Sequence, residues 1–137
     1  VGHSYICYAP LLIGATTTLN GHTLQLFNTH LLAYFMLNSS SESHLDQRQL
    51  VIEQLQRANG PALIAGDFNV SKHELLVRQF AESGFQTVQE KEITWRHHPY
   101  VLDHIFYSPH LHPVRHSVKP TPASDHHILT AEFEFVK

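Results

Sequence analysis

Cysteine is almost missing from this sequence. Cys7 stands alone, so no intramolecular disulfide can close and no cysteine-based zinc site can be built; the lone thiol reads as a small buried hydrophobe in a strand. Long apolar runs are missing as well. The two longest, around Tyr5 to Ile13 and Leu31 to Leu37, are interrupted or bounded by Pro10, Gly14 and Asn38, and neither is long enough to make a transmembrane helix. An excess of positive charge is also absent. With a formal net charge of -3 there is no polycationic surface to grip nucleic acid through phosphates alone, and any such contact has to be local. No internal repeat, low-complexity tract or linker divides the chain. A serine hydrolase is excluded on two grounds: Gly-x-Ser-x-Gly does not occur, and Ser124, Asp125 and His126 are adjacent, whereas a triad assembles from separate segments.

What remains is the composition of a folded domain, with 137 residues, 42% hydrophobic and 15% charged, so residues 1–137 are expected to form a single domain. The unusual feature is 13 histidines, some paired as His97-His98 and His126-His127. Imidazole is both an acid/base near neutral pH and a transition-metal ligand, but these histidines lack a consistent zinc-ligand spacing. Surface exposure is the default expectation for His97, His98, His104 and His127. The first residue, Val1, leaves localisation undecided.

Residues Ser4 to Tyr8 and His22 to Asn28 read as strands, with Asn20-Gly21 as a hairpin turn because both residues tolerate positive φ. After the serine-rich stretch 39–43, Ser43 three residues before Asp46 marks a helix start. Leu45, Ile52 and Leu55 then share a stripe until Asn59-Gly60-Pro61 stops the helix. Ala62 to Ala65 lacks polar alternation, as expected of a strand buried on both faces. A second helix is signalled by a Ser71/Glu74 capping box, by Leu76 and Phe80 four apart, and by Gly84 as its stop. Strands are expected again at Ile93 to Trp95, Leu102 to Tyr107 and Ile128 to Val136. Pro109, Pro113, Pro120 and Pro122 mark the loops between them. In the last strand Ala131, Phe133 and Phe135 alternate with Thr130, Glu132 and Glu134, giving it an outward acidic face.

Polar residues concentrate where strands end: Asn28-Thr29-His30, Gly66-Asp67-Phe68-Asn69, Leu102-Asp103-His104 and Ser124-Asp125-His126. Ligands gather at such ends in α/β proteins. Carboxylate, amide and imidazole are also the mixture that phosphoester hydrolysis requires, because a hard dication held by carboxylates offsets the anionic oxygens while acid and base groups manage the protons. The order Asn-Thr-His-Leu, a helix with Arg48-Gln49, Gly-Asp-Phe-Asn, Thr94-Trp95, Leu-Asp-His-Ile-Phe-Tyr-Ser and Ser-Asp-His resembles the endonuclease/exonuclease/phosphatase superfamily from about Leu24 to Phe135.

The resemblance implies a DNase I-like four-layer α/β/β/α sandwich and a Mg²⁺- or Mn²⁺-dependent phosphodiesterase, nuclease or phosphatase. It implies that His30 contacts a phosphate oxygen and serves as general acid, and that Asp67 and Asn69 position the attacking water and the scissile phosphate. His30 and Asn69 thereby bind substrate. Asp103 would orient the catalytic imidazole of His126, and Asp125 would ligate the divalent metal; either Asp67 or His126 can be the general base. Trp95 and Tyr107 are expected to be packing residues. The family's first half, with an Asn-bearing strand and a metal-binding Glu, has no counterpart upstream of Val1, and Glu42, Glu53 and Glu74 do not match it. This chain is therefore expected to supply the C-terminal half. Its inner sheet face would be covered by the N-terminal half or a second chain, in a homodimer for example, or left as an apolar patch of roughly several hundred Å². The substrate would be a phosphoester of nucleic acid or of a phospholipid head group. The alternative is a non-catalytic phospholigand-binding or regulatory domain with an incomplete metal site.

Overall fold

A computed structural model describes residues 11–40 and 45–137. The strand expected at Ser4 to Tyr8 and the helix start expected at Ser43 lie outside the described residues. Strands β1 (Leu11–Leu19) and β2 (His22–His30) form an antiparallel hairpin. Its turn residues Asn20 and Gly21 have φ of 52° and 78°, the paired positive values that match the twist of a two-residue hairpin. The length of β1 is not apparent from the sequence, because Gly14 and a Thr-Thr-Thr run are poor apolar signals. In the fold the Phe27 ring lies where a Cβ on Gly14 would point, 3.1 Å away, so the glycine makes room for its cross-strand neighbour.

From β2 the chain passes through a short 3-10 helix (Tyr34–Leu37) and α1 (Leu45–Gln56) to β3 (Ala62–Asp67), which pairs parallel with β2. A parallel pair needs a long crossover of this kind. Helix α1 buries Val51, Ile52 and Leu55, but Leu45, expected on the same stripe, is 47% exposed. Arg48 is the buried residue on that stripe, and its Nε donates to Gln79 Oε1 at 2.6 Å in α2 (His73–Glu82). Lys72, one residue after the Ser71 of the expected capping box, holds the N-cap position of α2 without a side-chain cap, and Leu75 N–H bonds back to Lys72 O in a tight first turn. The stop at Gly84 is as read. Its φ is 92°, its N–H bonds Ala81 O, and Phe85 N–H bonds Phe80 O, the paired closure of a left-handed helix end.

Strands β4 (Gln86–Thr87) and β5 (Asp103–Tyr107) complete a five-stranded sheet of order β1-β2-β3-β5-β4. The segment Ile93 to Trp95 is not a strand, and only Trp95 makes an isolated bridge, to His126. Conversely, β6 (Leu111–Lys119) occupies a stretch expected to be loop, pairing with β7 (Ile128–Phe135) as a separate two-stranded sheet. Pro113 is accommodated there by a register shift between Pro113 and Arg115, where a missing N–H costs least.

One face of the large sheet carries Phe27, Ile64 and Phe106 against the two helices, in a core with Leu31, Ile52, Leu55, Phe68, Leu76 and Phe80. The other face carries Leu26, Leu63, Ala65, Ile105 and Tyr107 by strand alternation. Leu63 and Ala65 are only half-buried, so β3 is fully covered on the helix side alone. The β6–β7 hairpin meets this second face through Phe133, whose ring centroid lies 5.4 Å from that of Tyr107. This is a mixed α/β fold in which helices, a sheet and a partial second β layer are stacked.

Candidate active site

Strand register builds the site. His30 closes β2, Asp67 closes β3 and Asp103 opens β5, and these three are direct cross-strand partners in one row, His30↔Asp67↔Asp103. Because partnered residues share a sheet face, the three side chains emerge side by side. His126 comes from the loop before β7. Its Nδ1 lies 2.7 Å from Asp103 Oδ2 and its Nε2 3.6 Å from Asp67 Oδ2; His30 Nε2 is 3.7 Å from the same Asp67 oxygen.

The chain after Asp67 is tightly organised. Phe68 turns into the core, fully buried, and Asn69 adopts a left-handed conformation at φ 50°, which asparagine tolerates better than most residues. That bend lets Asn69 N–H donate to Asp67 Oδ1 at 2.9 Å, while its amide Nδ2 donates to Leu31 O at 2.8 Å. Asn69 is thus buried and ties the end of β2 to the turn after β3. Thr94, fully buried, accepts from the N–H groups of Leu102 and Asp103 through Oγ1, at 2.9 and 3.0 Å, fixing the start of β5.

The electrostatics follow from two carboxylates placed side by side. Burial, and then the neighbouring Asp103 charge, push the Asp67 carboxyl up to about 6, against the opposing pull of Asn69 N–H, His126 and His30. For His126 burial acts downward, yet the hydrogen bond to Asp103 and the charges of Asp103, Asp67 and Asp125 together outweigh it and raise the imidazole above its ordinary value. Asp67, Asp103 and His126 each offer a ligand atom, all within 4.8 Å of one another, and form the one such group of three among the described residues. An oxygen-rich set of this kind, anionic and under mutual repulsion, fits a hard divalent cation.

Asp125 sits beside this group and outside it. Its Oδ2 accepts from Trp95 Nε1 at 3.1 Å and lies 3.3 Å from His97 Nε2, and the indole hydrogen bond holds its carboxyl below the usual range. Trp95 therefore does more than pack. Neither its link to Asp125 nor the double role of Thr94 is visible in composition or periodicity; both depend on a bridge between residues distant in sequence. His104 differs from expectation most clearly. It is 1% exposed, on the face of β5 opposite Asp103, with Nε2 3.0 Å from Val101 O, and burial lowers it to about 4. A histidine alternating with Asp103 in a strand has to point into the helix-side core.

The Endonuclease/Exonuclease/phosphatase family model matches residues 15–126. Among solved structures, an endonuclease/exonuclease/phosphatase from Beutenbergia cavernae is similar with a TM-score of 0.73 at 19% identity, over 92% of this chain and 39% of that one. The human Nocturnin catalytic domain with bound sulfate gives 0.67 at 26% identity, over 93% and 53%, and D. rerio TDP2 complexed with single-strand DNA product gives 0.69 at 21%, over 90% and 61%. This chain thus spans between 39% and 61% of the length of these three structures. No curated protein sequence matches it. The matched span, the stacked sheet-and-helix architecture and the acidic cluster at the strand ends agree: the chain belongs to the endonuclease/exonuclease/phosphatase family of phosphoester hydrolases.

Proposed function

We propose that this chain carries the acid/base half of a divalent-metal-dependent phosphoester hydrolase, and that the observation carrying this reading is the in-register row His30–Asp67–Asp103 closed by His126. Asp67 and Asp103 would hold the cation, and Asp125 offers a further carboxylate on the loop that presents His126. A bound Mg²⁺ or Mn²⁺ supplies neutralisation of the phosphate oxygens and of the leaving alkoxide.

The protein's own groups divide the remaining work. Asp103 accepts a hydrogen bond from His126 Nδ1–H, which fixes the ring and aims Nε2 at Asp67. Water placed between Asp67 and Nε2 finds a carboxylate made more basic by burial, so Asp67 takes its proton as attack on phosphorus begins. His126, whose charged form the Asp103 hydrogen bond and the neighbouring carboxylates favour against burial, faces the charge that develops on the phosphate oxygens. His30, exposed at the other end of the row, is placed to donate to a phosphate oxygen or to the departing alkoxide. Asn69 acts through position, locking Asp67 Oδ1 and the end of β2.

The substrate class is a phosphodiester or phosphomonoester. The relatives bear names that include a DNA-product complex and a mannosyl-6-phosphatase, which supports phosphoester chemistry without choosing among esters. We further propose that the rest of the family domain, a separate segment or chain, completes the metal site. The engagement of Asp125 by Trp95 and His97 favours a second reading, a phospholigand-binding domain with a weak metal site. Such a domain would bind inorganic phosphate equally with and without chelator in calorimetry.

The direct test is hydrolysis of bis(p-nitrophenyl) phosphate with Mn²⁺ or Mg²⁺ and with EDTA. Metal-dependent turnover is expected to fall by about 100-fold or more in Asp67→Asn and in His126→Ala. Unchanged turnover in an Asp125→Ala, His126→Ala double variant would reject the site.

A further inference from the structure

The loop that presents His126 has little to hold it. Between β6 and β7 it runs through Thr121, Pro122, Ala123, Ser124 and Asp125, of which all but Thr121 are exposed. Its internal bonds are local, Ala123 N–H to Thr121 Oγ1 and His126 N–H to Ser124 Oγ. A catalytic imidazole has to be held within a fraction of an ångström, and an exposed loop does not do this by itself.

The remaining ties run to one short segment. Thr94 O accepts from His127 N–H at 2.8 Å, Trp95 Nε1 reaches Asp125 Oδ2, and Arg96 N–H donates to Asp125 O at 2.9 Å. The Arg96 side chain then folds over the loop. One guanidinium nitrogen, Nη2, donates both to Thr121 O at 2.8 Å and to Ser124 O at 2.5 Å. These carbonyls precede His126 along the same bend, so a single planar cation clips the bend closed. Among the described residues no ion pair engages Arg96, so its charge is directed wholly at these two acceptors. On its other side the same segment carries Asp103, through Thr94 Oγ1. Residues 94–96 therefore support both partners of the Asp103–His126 hydrogen bond.

We propose that Arg96 is a positioning residue for His126, setting the imidazole against Asp103 by fastening the Thr121 and Ser124 carbonyls. The inference rests on the reading of His126 as the catalytic imidazole. Both carbonyls lie in an exposed loop where water can replace the guanidinium, so the fold loses little when Arg96 is removed and the ring loses its aim.

The experiment compares Arg96→Ala and Arg96→Lys with the unsubstituted chain. Hydrolysis of bis(p-nitrophenyl) phosphate with Mn²⁺ gives kcat and KM separately. Proton NMR in EDTA follows the downfield His126 Nδ1–H resonance, assigned by its absence in His126→Ala. For Arg96→Ala the expected result is kcat lower by about 30- to 100-fold, KM within about twofold and a broadened or missing resonance, with a nearly unchanged thermal midpoint. Arg96→Lys, which keeps a donor for one carbonyl at a time, falls between. A sharp resonance and unchanged kcat in Arg96→Ala would overturn the proposal. So would an Arg96→Ala chain that fails to fold, or a loss of activity in both variants that tracks lost stability, since Arg96 would then be a structural clasp only. If the unsubstituted chain does not hydrolyse the ester, the functional reading fails, while the NMR comparison still decides the positioning role.

Discussion

His104 and Asp103 are neighbours in β5 with opposite fates, and the contrast yields a prediction. His104 is stacked on Phe106, edge-on to Phe68 and lowered to about 4 by burial, whereas in the unfolded chain it takes a proton near pH 6.5. Between those values the unfolded state binds the extra proton. Stability from this residue is therefore complete above about pH 6.5 and is lost as pH falls toward about 4, by about 3 kcal/mol in all. Urea unfolding in EDTA at pH 7 and pH 4.5 should show a steep loss that His104→Phe flattens by most of that amount. An equal loss in both proteins would mean that His104 is not buried neutral. Residue identity made the candidates legible: His30, Asp67, Asp103 and His126 could all be picked out from motif residues at strand ends. The burial of His104 was not read, since the sequence put it at the surface, although its alternation with Asp103 in β5 accounts for it. The Trp95–Asp125 bond could not be read, since no local pattern encodes which indole meets which carboxylate.

At the scale of elements, the sequence was clearest where chemistry is local. Asn20-Gly21 declares its turn and Gly84 its helix end, because positive φ restricts the residue type at those positions. It was least clear at β6, where Pro113 argues for loop until a bulge and a partner strand accommodate it. Gly66 belongs to the same scale and is the strictest backbone requirement in the site. A Cβ there would lie 1.9 Å from Thr29 O, within the parallel pair of β2 and β3 that aligns His30 with Asp67. No side-chain motion relieves a clash with backbone. Gly66→Ala should therefore destabilise the chain by about 3 kcal/mol or more and part the row, visible as a lowered denaturant midpoint and loss of the His126 Nδ1–H resonance. A Gly66→Ala chain with unchanged midpoint would show that the β2–β3 alignment tolerates the shift.

For the whole molecule, the two faces of the large sheet are unequally covered. The helix face is dry, with Ile64, Phe68, Phe80 and Phe106 fully buried. On the other face the β6–β7 hairpin covers part of the area, yet Ile13 is 58% and Leu26 38% exposed, as are Val114 and Ile128 in the hairpin itself, at 56% and 51%. The structures this chain resembles are substantially longer, and we expect the remainder of such a domain to cover this face. An aspartate at a position already in water costs little, whereas at a buried apolar position it costs several kcal/mol. Ile13→Asp in the isolated chain should therefore leave the thermal midpoint within a few degrees and raise the monomer fraction measured by light scattering. The same substitution in a protein that includes the preceding half of the domain should lower the midpoint sharply. Equal effects in the two contexts would show that the preceding half does not dock on this face.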